Sequence, residues 1–397
     1  MNNRFMKPCL IFFMPCLLFF LLSCATATRA DVTLAVPQVN LPKDELPHPA
    51  APVEWWYYAG HLQDAQGRTY GVMASFFTAK MGNLPTNHFM IYALTEKTEK
   101  KFHSGSIIQK SMIDIMRTIA DNPPPALKKM VGPDFFDLDN VEKHHAIMKE
   151  KPVVMKDQLA IKYEENFFRK TKGNDRNFTG WEYRTKITGS DFSYSLTMVP
   201  ARGPMFVNGI GNVGLSESED MYYYSFTRLD TTGTISVNGE TREVTGTIWY
   251  DHQFGSMAGP EDPVGWDWFC LQLEDGTDMN LSALRKLRTG ERFNRLGTIQ
   301  RADGRVSVVH DLIIEPLDSW TSPDTGITYP SGWKLALPSL NTSFTVKPDL
   351  KGQEMRAFGP FRAIWEGSCT VEGVVDGVVV KGLAYTELVG YAFKPVE

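Results

Sequence analysis

The sequence predicts an all-β protein with a minor helical insertion, arranged as two tandem antiparallel β-barrels. Three observations predict it. Short aromatic and β-branched runs, separated by Gly, Asn and Asp turns, recur along most of the chain. Only the stretch around SIIQKSMIDIMRTIAD has helical spacing. The sequence of aromatic strand, acidic Gly turn and second strand also occurs twice, from Trp56 through RTYGVMASFF and from Trp268 through TDMNLSAL. With 397 residues, 43% of them hydrophobic, the chain is long enough for two cores.

Residues 1–23 stand apart. Arg4 and Lys7 precede the apolar run CLIFFMPCLLFFLLS, which is too short for a spanning helix and reads as an export signal. Its end, Leu21-Leu22-Ser23-Cys24, resembles the bacterial lipobox, in which the cysteine becomes the lipidated first residue. An ordinary signal cut near Ala30 is the alternative. The lipobox reading makes Cys24 a membrane anchor in the cell envelope, and Ala25 after it points to the outer membrane, facing the periplasm. Residues 24–52, rich in Pro and Ala without a regular period, read as an extended tether.

Strands are expected in WWYYAGHL, RTYGVMASFF, HFMIYALTEK, GWEYRTKITG, FSYSLTMVP, MYYYSFTRLD and TISVNG, then in RVSVVHDLIIEPL, GWKLALP, TSFTVKP and GVVVKGLAYTELVGYAF. The inserted helix is placed near residues 106–120, with Ser106 and Gln109 as a capping box and Pro123 to Pro125 as its stop. It reads as packing on the barrel, or as a lid over a pocket mouth. The domain boundary is placed in LDTTGTISVNG, giving an N-terminal domain over 53–234 and a C-terminal one over 235–397.

Without residues 1–23 the net charge falls from −5 to about −7, which disfavours a nucleic-acid partner. Cys270 and Cys369 are the cysteines left after the anchor, either paired or as two buried thiols. No metal-ligand spacing and no G-x-S-x-G elbow occurs. His144 and His145 sit in a charged stretch.

Strand alternation sorts the remaining candidates. In VEWWYYAGHL, Glu54, Trp56 and Tyr58 share one face, and Trp55, Tyr57 and His61 the other. Two aromatic faces imply a strand covered on both sides, a wall in which Glu54 and His61 point apart. Glu54 is either a buried acid beside Trp56, which would hold its proton at neutral pH, or an exposed strand-start residue with no role. In VTGTIWYDHQFGS, Trp249 and Asp251 share a face; Asp251 is either an outward structural carboxylate or an enclosed acid of raised pKa. In GWDWFCLQLEDG, Asp267 lies opposite Trp266 and Trp268, and Arg285 on the next strand is its expected structural partner.

Taken with YSFTR at 224–228, GWDWF at 265–269 and GLAYTELVGY at 382–391, these motifs resemble the AttH/CrtC family. That family contains the carotenoid 1,2-hydratases (hydroxyneurosporene synthases) and many proteins labelled predicted secreted hydrolases. The resemblance spans the mature chain and implies two lipocalin-like barrels in tandem. It implies Asp251 as the acid, with Trp249, Tyr222, Tyr224, Glu54, Trp56, Trp266 and Trp268 lining a site for a small hydrophobic, lipid- or isoprenoid-like molecule, and no cofactor. The carotenoid hydratases carry a tyrosine two residues before the acid and a His-x-Trp pair about thirty residues upstream. Trp249, and Tyr222 with Tyr224, stand there instead, which argues against carotene. Three readings follow: a hydratase or hydrolase acting at Asp251, a non-catalytic periplasmic lipid carrier, and a structural envelope lipoprotein.

Overall fold

The computed structural model describes residues 36–80, 84–122, 138, 141–215, 220–256, 264–357 and 362–393. The signal segment, Cys24 and Pro123 to Pro125 lie outside these. The strand Val53–Asp64 organises the first sheet. It pairs antiparallel with Thr69–Ala79 on one side and with Glu240–Gly255 on the other. Continuing outward on both flanks gives, among the described residues, a 13-stranded sheet. The second sheet has ten strands, with Val264–Leu273 between Asp278–Lys286 and Val378–Val389. Both are curled half-barrels, the expected tandem lipocalin-like architecture.

The alternation of the opening strand is what couples the sheets. Trp56 and Tyr58, fully buried, point into the first half-barrel with Tyr194, Tyr224, Phe226 and Tyr250. Tyr57 and Ala59 point the other way, onto Trp268, Cys270, Tyr385 and Val389 of the second sheet. Phe269, Leu271 and Leu273 turn from that contact into the second half-barrel, around Trp333 and Trp365. Among the described residues the two interior cores are thus joined by a further one between the sheets, and Leu34–Glu397 forms one compact unit. Each large apolar side chain buried contributes about 1.5–3 kcal/mol, against about 0–1 kcal/mol for an exposed ion pair, so this joining core holds the sheets together.

No bulge interrupts the strand at Gly60, which pairs with Ile248 in continuous register. A Cβ there would sit 2.3 Å from the Thr247 carbonyl oxygen, so the glycine permits a close backbone approach. A bulge does occur between Phe226 and Leu229. It turns Thr227 and Arg228 toward the second sheet, where Thr227 donates to Gln300 and Arg228 pairs with buried Asp278 at 2.8 Å.

Several expectations need correction. Met221–Val237 and Glu240–Gly255 both belong to the first sheet, so a boundary at 234/235 cuts a strand, and the change of sheet falls between Gly255 and Val264. Just after that boundary the chain makes a two-residue turn, Asn238-Gly239, with φ of 50° and 83°. The tether ends early: Val39 and Leu41 are buried in the first core, and Glu45 is wholly buried. The helix is Lys110–Asp121, without a side-chain cap. Ser106 belongs to the strand Lys101–Ile108 and bonds His145 instead. The helix's apolar face, Met112, Ile113 and Met116, packs with Ile108 and Val141 in a cluster of its own.

Asp267 is buried, but its partners are Arg292, whose Nε donates at 2.6 Å, and the Tyr391 hydroxyl at 2.8 Å. Arg285 donates instead to the Val389 carbonyl and lies over the Tyr391 ring. A register shift between Ser282 and Leu284 brings Arg292 alongside Arg285 and within reach of the carboxylate. Cys270 and Cys369 are both buried free thiols.

Candidate active site between the sheets

Antiparallel pairing lines up Ser75, Tyr57, Asp251 and Ser225 across four adjacent strands of the first sheet. The facing sheet presents Ser282, Trp268, Glu387 and Glu366 in a similar row, and Asn280, Cys270, Tyr385 and Ser368 in the next. Residues in such rows share a face, so the polar and titratable groups concentrate where the two half-barrels meet. Tyr57 links the rows by donating to Glu366 Oε2 at 3.2 Å.

Asp251, 2% exposed, is the centre of this arrangement. Its Oδ1 accepts from Ser225 Oγ at 2.5 Å and from Trp249 Nε1 at 2.6 Å, and its Oδ2 accepts from the Tyr223 hydroxyl at 2.7 Å. Tyr223 in turn accepts from Trp268 Nε1 and Asn280 Nδ2. Burial pushes the Asp251 carboxyl up to about 7, against three hydrogen bonds that pull it down. Of the two readings left open by the sequence, the enclosed acid is the one found.

Two further acids lie nearby. Burial raises Glu387 to about 7 against a hydrogen bond from Trp266, and the Asp251 charge adds to the rise. Glu366 is pushed well above the carboxylate range by burial and by Glu387. Ser75 Oγ, Asn280 Oδ1, Glu366 Oε1 and the Tyr385 hydroxyl are buried without a hydrogen-bond partner among the described residues. Such groups are costly unless something polar reaches them.

The expected site residues divide between two places. Trp249, Trp266 and Trp268 belong with Asp251. Tyr222 and Tyr224 do not, because the register sets Ser225 opposite Asp251 and turns Tyr223 and Ser225 to its face. Tyr222 stacks on Phe254, and Tyr224 lies in the first half-barrel. Glu54 and Trp56 also face that interior. Glu54 Oε1 meets His252 Nε2 and His48 Nδ1, each at 2.8 Å, and His48 comes from the segment expected to be a tether. Burial would raise the Glu54 carboxyl, but its bonds to the two histidines outweigh that and hold it below its usual value. Of the two readings of Glu54 the buried one is found, but its carboxyl is ionised at neutral pH and does not hold its proton.

Sequence reading missed Tyr223, Ser225, Asn280, Glu366 and Glu387. The YYYS run did not carry the signal by itself: a regular hairpin turning at Asn238-Gly239 would set Phe226 opposite Asp251, and it is the bulge between Phe226 and Leu229 that gives that face to Tyr223 and Ser225. A surface cleft of about 580 Å³, lined by Lys100, Phe102, Asp349, Leu350, Lys351 and Gly352, contains none of the Asp251 partners.

Two lipocalin-like half-barrels with an enclosed, protonatable aspartate between them define the class of protein. More particularly, the AttH-like family matches residues 33–119 and 140–391, and the chain belongs to that family. Among solved structures, an AttH protein from Nitrosomonas europaea is similar at 23% identity and a TM-score of 0.68, covering 89% of this chain and 97% of its own. Kievitone hydratase from Nectria haematococca is similar at 17% identity and a TM-score of 0.66, covering 90% and 94%. At these identities the likeness is one of fold. No curated protein matches the chain.

Proposed function

We propose that this protein is a hydratase of the AttH-like family, adding water to a double bond of a small hydrophobic, lipid- or isoprenoid-like molecule, with Asp251 as the proton donor. The observation that carries this is the Asp251 carboxyl: enclosed, raised to about 7, and aimed by Tyr223, Ser225 and Trp249. The similarity in fold to a hydratase supports the same reading. An aspartate at its ordinary value of about 3.9 would be ionised at neutral pH and unable to donate. In the proposed step the Asp251 proton passes to one alkene carbon, and the π-electrons become the new C–H bond. The ring faces of Tyr57, Trp249 and Trp268 stabilise the cation left on the other carbon. Water adds to that carbon and gives up a proton to the carboxylate of Glu387, and that proton returns to Asp251 to restore the starting state.

The proposal extends to the cell envelope, with the chain lipidated on Cys24 and facing the periplasm from the outer membrane. Metabolic labelling with a fatty acid, comparing wild type with Cys24→Ser, tests that; label retained in the variant removes the anchor.

To test the activity, wild type and Asp251→Asn are purified from their native membranes and the co-purifying lipids identified by mass spectrometry. An unsaturated species enriched on the variant, with its product about 18 mass units heavier in the wild-type culture, is the expected result. The same ligand on both proteins, chemically unchanged, would overturn the hydratase reading in favour of a carrier.

A further inference from the structure

The His48, Glu54 and His252 cluster lies on the far face of the opening strand from Asp251, and the proposed hydration makes no use of it. Its three residues come from the N-terminal segment, the opening strand and the strand that closes the first sheet. His48 Nδ1 and His252 Nε2 both approach one oxygen, Glu54 Oε1, at 2.8 Å, and the three ligand atoms lie within 4.8 Å of one another. Among the described residues no other such group of histidine, cysteine or carboxylate ligands occurs.

We infer that this cluster is a binding site for a divalent transition metal of the zinc type, held by His48 Nδ1, His252 Nε2 and Glu54 Oε1. Two imidazole nitrogens and one carboxylate oxygen suit zinc and its neighbours, whereas magnesium and calcium prefer all-oxygen sets. In the hydrogen-bonded arrangement two N–H groups point at one carboxylate oxygen. A divalent ion bound between the three atoms takes the place of those two contacts, with the other ring nitrogens facing Asp44 and Tyr224. Bonds of about 2.0–2.1 Å in a tetrahedral site keep ligand atoms roughly 3.3 Å apart, so each contact need open by only about half an ångström.

Each ligand also has an outer partner, as metal-binding imidazoles and carboxylates require. His252 Nδ1 is 3.0 Å from the Tyr224 hydroxyl, which itself donates to buried Glu45. His48 Nε2 faces Asp44 Oδ1 at 3.8 Å, and its ring stacks on Phe254 with centroids 3.6 Å apart. Glu54 Oε2 accepts the His48 backbone N–H at 2.8 Å, and Trp56 stacks on His252. Glu54 and His252 are buried while the His48 side chain is 25% exposed, so the ion enters from the His48 side. Bound there, it pins the N-terminal segment across the first half-barrel.

The test uses the full-length chain, stripped with a chelator and titrated with Zn(II) by calorimetry and with Co(II) by visible absorption. One equivalent of saturable binding, with the intense visible bands of four-coordinate Co(II), is expected. His48→Ala, the least buried change, weakens Zn(II) binding by at least about 100-fold while circular dichroism reports an unchanged fold. Glu54→Gln gives the same loss, and Asp251→Asn binds like wild type. Absence of saturable one-equivalent binding, or His48→Ala binding as tightly as wild type, overturns the site.

Discussion

The Tyr223 hydroxyl donates to Oδ2 of Asp251 at 2.7 Å while accepting from Trp268 and Asn280, so one phenol fixes the acid and is itself fixed by the opposite sheet. Tyr223→Phe removes one of the three bonds that lower the Asp251 pKa. The carboxyl then titrates above 7, as followed by the ¹³C resonance of labelled aspartate. Trp268 Nε1 and Asn280 Nδ2 also lose their acceptor, and stability falls by about 1–3 kcal/mol in urea unfolding.

The acid should make stability depend on pH in a defined direction. Its folded-state pKa is raised, so the favourable contribution is complete below about pH 4, where the unfolded carboxyl is protonated too, and is lost as pH rises through 7. Asp251→Asn has no such loss. Between about pH 4 and pH 8 the stability of wild type should fall relative to the variant by up to about 4 kcal/mol, since each pH unit separating the unfolded and folded pKa values is worth about 1.4 kcal/mol. Parallel profiles from chemical denaturation would show that Asp251 is not enclosed as described.

Gly60 provides a test of the close approach between the opening and closing strands. A Cβ at 2.3 Å from the Thr247 oxygen meets backbone, which cannot rotate away. Gly60→Ala should cost about 1–3 kcal/mol of thermal or urea stability.

What the sequence made legible followed from alternation within a strand. The two aromatic faces of EWWYYAGHL, the pairing of Trp249 with Asp251, and the opposition of Asp267 to Trp268 are period-2 facts that pairing does not alter. What failed needed register or distant chain. Tyr222 and Tyr224 have the parity of Asp251 in a regular hairpin turning at Asn238-Gly239, and the bulge between Phe226 and Leu229 shifts that face to Tyr223 and Ser225. Arg285 lies on the strand next to Asp267, but a register shift between that strand and the following one delivers Arg292. His48 lay in an irregular stretch where no periodicity marks a functional residue. Its meeting with Glu54 and His252 depends on a segment folding back over the first half-barrel.

The Asp267 pair gives a prediction in which two arginines on adjacent strands separate cleanly. Asp267 is fully buried, and Arg292 Nε supplies its charged partner at 2.6 Å. Removing one member of a buried ion pair strands the other charge and typically costs about 3–5 kcal/mol. Arg292→Ala should cost in that range, the Tyr391 hydroxyl being a neutral donor that cannot compensate the charge alone. Arg285 donates to a backbone carbonyl and covers the Tyr391 ring, so Arg285→Ala loses a charge-assisted bond and a cation–π contact but leaves Asp267 paired. That change should cost about 1.5–3 kcal/mol. The double variant Asp267→Asn with Arg292→Ala should recover part of the larger loss, because no buried carboxylate is left uncompensated. Thermal unfolding of the four proteins measures all of this; an Arg285→Ala loss exceeding that of Arg292→Ala would return the salt bridge to Arg285.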